Sequence, residues 1–299
     1  MGYDLIVIGG GYAGMSAAMQ LVRAHRTVVV VDGGRRRNRS AATAHGFLTQ
    51  EGADPAQIAL TARDQLRAYP TLTWIEGEVE GASGTCDAFE VVLGDGARLQ
   101  GRRLLLATGV FDELPEIPGL AERWGTSVFH CPYCHAFELA KGRIGVIAGG
   151  QDWVQQAELL AEWGRVTLLL NGRAEPGPEE ARDLDRRGVE LVAAPVARIE
   201  GRAEVVLVDG QRHVFEGLFI APRHVPSSSV AQRLGCALED VSTGVQVRTD
   251  DEHRTSLDGV FACGDVARIP HSLSQAVADG AGAGTQIHQS LVWPGKRLE

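Results

Sequence analysis

Residues 5–14 read LIVIGGGYAG, and the reading of this stretch decides the fold. Leu5, Ile6, Val7 and Ile8 predict a short buried strand. Gly9-Gly10-Gly11-Tyr12-Ala13-Gly14 follows, then the helical run MSAAMQLVRA. Strand, GxGxxG and helix in that order make a dinucleotide-binding unit. Gly9 allows the tight turn, Gly11 lets the backbone approach a pyrophosphate, and Gly14 permits close helix–strand packing. The helix start then offers unpaired N–H groups and a positive dipole end to phosphates. A second apolar strand at 27–31 ends in Asp32, eighteen residues after Gly14, where a carboxylate accepts ribose hydroxyls and repels a 2′-phosphate. A plain glycine turn is the bland alternative. The strand, helix and acid in register argue against it.

The same architecture recurs later in damaged form. The strand at 143–147 (RIGVI) leads into Ala148-Gly149-Gly150-Gln151-Asp152-Trp153, then VQQAELLAEWG and a second strand at 166–170. A working site has glycine first and glycine or alanine sixth. Ala148 adds a methyl at the tightest point of the turn, and Trp153 brings an indole toward the phosphate cleft. Asn171-Gly172-Arg173 follows the second strand, with no acid for a ribose and one arginine for a 2′-phosphate. The expectation is a Rossmann-like domain with weak or no nicotinamide binding. A divergent site that still binds through backbone N–H groups is the alternative. Between the two units, residues 72–106 alternate like strands, with a turn at Gly94-Asp95-Gly96.

The chain of 299 residues is long enough for two domains, and its net charge of −9 argues against nucleic acid or an anionic membrane as partner. The run Arg35-Arg36-Arg37-Asn38-Arg39 is a local exception; as a bare charge cluster it reads as a solvated loop, while its position beside the first fingerprint gives it another use. No apolar run approaches the roughly 20 residues that span a bilayer. The N-terminal residues enter a strand without an export signal, so a cytoplasmic protein is expected.

Five cysteines are present, and the close pair lies in HCPYCHAFE at 130–138. Haem attachment would need export and a haem scaffold. A zinc site would need four convergent ligands, which His130, Cys131, Cys134 and His135 supply poorly as near neighbours, so no metal is expected. Inert packing suits Cys86, Cys236 and Cys263 better than it suits the pair. A redox disulfide is favoured, since a CxxC at a helix start lowers one thiol pKa. His135 is the natural proton acceptor or donor, because imidazole titrates near neutrality. His130 reads as structural, and Glu138 as either a partner for a histidine or a cap.

Two further motifs bring in a family. Ala107-Thr108-Gly109 before VFDELPEIPGL, and Gly259-Val260-Phe261-Ala262-Cys263-Gly264-Asp265-Val266, join the N-terminal fingerprint and the CxxC in one order. That order resembles low-molecular-weight thioredoxin reductase along essentially the whole chain. The resemblance implies an α/β protein of two three-layer, Rossmann-like dinucleotide-binding domains. An FAD domain would comprise 1–115 and 243–299, and a CxxC-bearing NAD(P)-type domain 116–242. It implies a homodimer, and FAD held by Gly9, Gly11, Gly14, Asp32, Asn38, Thr108, Gly109, Gly264 and Asp265. Ser274, Gln275 and Ala276 would begin the helix facing the flavin, whose positive end favours a reduced flavin's negative charge. Cys134 would be the thiol that exchanges electrons with the flavin, and Cys131 the outward thiol that meets substrate.

The departures are informative. His135 stands where the family has an acid, the arginine pair for NADPH is missing, and the loop RNRSAATAHGFLTQEG at 37–52 is unusual. This combination is similar to NADPH-independent dithiol oxidases of the gliotoxin, holomycin and romidepsin type. Oxidation of a dithiol to a disulfide with dioxygen as acceptor is therefore the expected activity. Reduction of a thioredoxin-like protein by NAD(P)H or another donor is the rival, and a flavin redox sensor without turnover ranks last. His45 is expected to be a hydrogen-bonded loop residue.

Overall fold

A computed structural model describes residues 2–150 and 152–295, so Gln151 of the second fingerprint lies outside the described residues. The first motif folds as read: strand β1 (Tyr3–Ile8), helix α1 (Tyr12–Arg23) and strand β2 (Val28–Asp32). Helix α2 (Pro55–Arg67) starts with Pro55 in its first turn, and the Asp54 side chain accepts from the Ala56 N–H as its cap. Strands β3 (Leu72–Glu76), β4 (Val79–Thr85), β5 (Ala88–Leu93) and β6 (Arg98–Leu106) follow. The sheet order is β3-β2-β1-β6-β5-β4, parallel through β3, β2, β1 and β6 and antiparallel through β4, β5 and β6.

Strand β7 (Val110–Glu113) carries the chain out of this layer. The second unit holds β8 (Val128–Phe129), the short helix α3 (Pro132–His135), β9 (Arg143–Ile147), α4 (Trp153–Leu160), β10 (Arg165–Leu169), α5 (Pro178–Arg186) and β11 (Glu190–Val192). Next come β12 (Val196–Glu200), β13 (Glu204–Leu207) and β14 (Arg212–Val214), an antiparallel trio, and then β15 (Gly217–Phe219). The parallel sheet of this unit runs β11-β10-β9-β15-β8. The trio packs beneath it through Val205, Leu207, Leu218 and Ile220. The two-domain Rossmann-like class is therefore observed.

Strand β16 (Arg223–Pro226) returns the chain and pairs antiparallel with β7. Helix α6 (Val230–Leu234), β17 (Leu238–Val241), β18 (Gly244–Val247), β19 (Val260–Ala262) and helix α7 (Leu273–Val292) complete the molecule. β19 pairs parallel with β6 and closes the first sheet. Here the expected border at 242/243 moves. Val230, Ala231 and Cys236 are buried in one cluster with Ile6, Ile8, Val29 and Leu106 of the first sheet. The chain has rejoined the first core directly after β16, because α6 supplies apolar cover for that face.

Helix α7 lies along α1 and covers the other face, with Ala283, Ile287 and Leu291 against Ala17, Leu21 and Leu105. Strands buried on both faces read as continuous apolar runs, which is why VVVV and LLLA announce them. Arg103 is 2% exposed and is held by Ser290 and Asp87, so one buried cation ties β6 to α7. Among the described residues no helix is long and apolar enough to cross a membrane.

Candidate active site

One continuous cleft runs between Asp32 and Cys134. Its first stretch is the turn after β1. A Cβ on Gly14 would lie 2.0 Å from the Gly9 carbonyl oxygen, so only glycine lets α1 start against the strand. A Cβ on Gly11 would meet nothing within 4 Å, because that side opens into the cleft. Asp32 lines the same stretch, and its Oδ1 accepts from the Gly10 N–H at 3.2 Å. Thr108, Gly109, Gly264 and Asp265 form the middle, joined by Asn38 and Ala276. Ser227, just past β16, holds this turn by donating its hydroxyl to the Thr108 carbonyl and its N–H to Gly109.

These residues fit a bound FAD. The open side of Gly11 leaves room for a pyrophosphate, and the helix dipole of α1 points there. Asn38 Oδ1 is buried without a partner among the described residues, an acceptor left for a bound group. Two expected contacts move. Ser274 and Gln275 do not line the cleft: both are exposed at the start of α7, where Ser274 donates to the Gly46 carbonyl and the Gln275 N–H is capped by Ser272. Gly14 acts from behind the turn. Leu273 and Ala276, on the other face of the same turn, are the α7 residues that line the cleft.

The far end belongs to the CxxC. Cys131 and Cys134 form a disulfide, with Cys131 capping α3 and Pro132 in its first turn. Cys134 and His135 line the cleft, and Cys131 does not. The pair therefore has an inner and an outer sulfur. In and just after the same stretch of chain, Tyr133 is 71% and Phe137 81% exposed.

His135 stacks on Phe129 with ring centroids 4.3 Å apart. Burial, with the nearby His45 charge, lowers its pKa to about 4. A neutral imidazole thus lines the same cleft as the inner cysteine, able to accept a proton. His45 is fixed by Glu51 (2.6 Å) and Thr43 (3.0 Å), and Glu138 reaches it at 3.5 Å from the disulfide loop. Cys263 is fully buried, and burial together with Asp279 pushes its thiol pKa far up, so it is an inert neighbour.

Arg37 overturns the reading of its loop as solvated. Its guanidinium makes a two-pronged pair with Asp112 (3.0 and 2.5 Å) and donates to Asp265 (3.1 Å) and to His271 Nδ1 (2.7 Å). His130 stands beside this group, its pKa lowered to about 3 by burial and by the Arg37 charge. Nothing in the run RRRNR marked one arginine as buried, since the partners are more than seventy residues away. No group of three or more His, Cys, Asp and Glu side chains among the described residues is arranged to hold a metal ion.

The family model described as pyridine nucleotide-disulphide oxidoreductase matches residues 3–280. The chain belongs to that family. Within it, this pyridine nucleotide-disulphide oxidoreductase is a thioredoxin reductase-like flavoprotein, a family whose cofactor is FAD. It is 31% identical to the thioredoxin reductase tcpT of Claviceps purpurea, over 97% of this chain and 94% of that one. It also resembles an Agrobacterium tumefaciens oxidoreductase (TM-score 0.96, 46% identity, 98% of this chain and 100% of that one). HlmI overlays with a TM-score of 0.90 at 35% identity, covering 97% and 93% of the two chains.

Proposed function

We propose that this flavoprotein is a dithiol oxidase: it closes a substrate dithiol to a disulfide and passes the electrons through FAD to dioxygen. The observation that carries the direction is the state of the second fingerprint. The Gly150 N–H, which a pyrophosphate would need, is taken by the Ala221 carbonyl at 3.1 Å, and a Cβ on Gly150 would lie 2.6 Å from that oxygen. Ala148 fills the turn at 1% exposure, and Trp153 begins α4 where phosphate would approach.

In the proposed reaction a substrate thiolate attacks Cys131 Sγ, the outer sulfur, and the Cys131–Cys134 bond breaks with Cys134 leaving as thiolate. The second substrate thiolate attacks the substrate sulfur of the mixed disulfide, which releases Cys131 and the product disulfide. Of the two protons lost by the substrate, His135 takes one from its neutral state. Gly11 and the start of α1 hold the pyrophosphate, and Asp32 the ribose. When bound, FAD supplies the relay of the two electrons from the reduced pair to dioxygen, which leaves as hydrogen peroxide.

A small dithiol suits the CxxC stretch. Tyr133, with Trp163 edge-on to it at 5.3 Å, and Phe137 are exposed aromatic side chains in and just after it. Reduction of a thioredoxin-like protein is the second reading, favoured by the names of relatives such as thioredoxin reductase tcpT. Aerobic turnover with dithiothreitol tests the choice. The oxidase forms one hydrogen peroxide per disulfide without NAD(P)H. Thioredoxin reduction driven by NADPH, with no peroxide from dithiol, would overturn the proposal.

A further inference from the structure

The chain passes between the two cores twice, through β7 and β16; these strands pair with Asp112 opposite His224, and β16 is tied in turn to β18 in the four-stranded sheet β17-β18-β16-β7. Any rotation of the disulfide-bearing unit against the flavin cleft must twist this ribbon. Asp112 sits within it with a side chain only 6% exposed, and Arg37 grips it from the other core.

The grip uses almost the whole guanidinium. Nε and Nη2 donate to the two oxygens of Asp112, while Nη1 donates to both Asp265 and His271. Four of the five N–H bonds are thereby assigned. Because a guanidinium only donates, His271 Nδ1 is the acceptor, and its ring carries its proton on Nε2. His224 completes the group, with Nδ1 3.6 Å from Asp112 and its ring 4.6 Å from that of His271. One side chain so joins the first FAD segment, the outgoing strand and the segment after β19.

The loop that begins at Arg37 touches the disulfide-bearing unit twice more. A Cβ on Gly125 would lie 2.8 Å from Ser40 Cβ, and Glu138 lies 3.5 Å from His45. Residues 37–45 therefore hold the hinge at one end and the CxxC loop at the other.

We propose that Arg37 and Asp112 are positioning residues that lock the crossover ribbon and keep Cys134 in the wall of the flavin cleft. The inference rests on the reading that Cys134 exchanges electrons with FAD, and it holds for either direction of electron flow. Bidentate geometry matters more than charge here, since a lysine cannot form the fork.

The test uses the holoenzyme and its Asp112→Asn, Arg37→Met and Arg37→Lys variants. Three readouts apply: anaerobic flavin reduction by dithiothreitol, flavin reduction by dithionite, which bypasses the disulfide, and small-angle X-ray scattering. Asp112→Asn and Arg37→Met are expected to slow the dithiothreitol reaction about 10- to 100-fold, as a misplaced reacting group does, with dithionite unaffected. Arg37→Lys recovers part of the loss. The scattering broadens toward a less fixed domain arrangement, and hydrogen exchange of β7 and β16 quickens, a change readable even in a variant that releases FAD. Wild-type scattering, exchange and dithiothreitol rate in Asp112→Asn would overturn the proposal. If dithiothreitol fails to bleach the wild-type flavin, the oxidase reading falls, and scattering and exchange decide the clamp alone.

Discussion

His135, the residue after the inner cysteine Cys134, lies flat against Phe129, ring centroids 4.3 Å apart and planes 18° from parallel. That packing removes water from the imidazole and holds its pKa at about 4. The base is therefore neutral and available at pH 7, and is lost only as pH falls through about 4. The dithiol-dependent reduction should show its His135-dependent limb near pH 4. His135→Ala should remove that limb and slow the step about 100-fold. A limb near pH 6.5 would show that the ring is solvated in the working enzyme.

The same burial has a cost in acid. His130 (about 3), His135 (about 4) and His271 (about 4) are all lowered, chiefly by burial. Unfolded, each titrates near 6.5, so the unfolded chain binds more protons between about pH 6.5 and 4, and stability falls as pH drops through that window. Asp112 has the opposite cause. Despite its burial, the neighbouring His224 and the two hydrogen bonds from Arg37 hold it well below the usual carboxylate range, so its contribution is lost only below about pH 4. Urea midpoints measured at pH 7.5, 5.5 and 4.5 should decline stepwise. An unchanged midpoint down to pH 5 would contradict the assignment of neutral buried imidazoles.

The two sulfurs should differ in reach. In a Cys86→Ala background, Cys131 of the Cys134→Ser variant should react with an aromatic disulfide reagent about tenfold faster than Cys134 of the Cys131→Ser variant, whose thiol faces the cleft. Both should lose flavin reduction by dithiols. Equal labelling rates would remove the inner and outer roles.

Two glycines separate fold from ligand. Gly14→Ala places a methyl 2.0 Å from the Gly9 carbonyl, so it should destabilise the protein by roughly 1–3 kcal/mol. Gly11→Ala meets open space and should leave the apo-protein's melting temperature unchanged while FAD affinity falls. Calorimetry of the apo forms and flavin titration check the pair.

The elements were legible where local pattern decides them. Strands buried on both faces announce themselves as apolar runs, and the turn glycines are dictated by contacts within a few residues of the strand. The cleft residues Gly11, Asp32, Thr108 and Asp265 came from such motifs. The rest depends on distant partners. Arg37 looked like one of several surface arginines until Asp112 and Asp265 met it across the fold. The domain border slipped because α6 is apolar on one face, which says that it packs but not on which core. Ser274 and Gln275 were placed by resemblance, and the helix leaves them exposed while Leu273 and Ala276 line the cleft.

The most direct test of the central claim mixes the oxidised protein anaerobically with NADPH, NADH or dithiothreitol and follows the flavin absorbance. The Gly150 N–H already bonded to the Ala221 carbonyl, and the inner cysteine in the cleft wall, predict under the proposed function bleaching by dithiothreitol alone, with hydrogen peroxide appearing when air is admitted. Rapid bleaching by micromolar NADPH or NADH would contradict the account and make the protein a reductase.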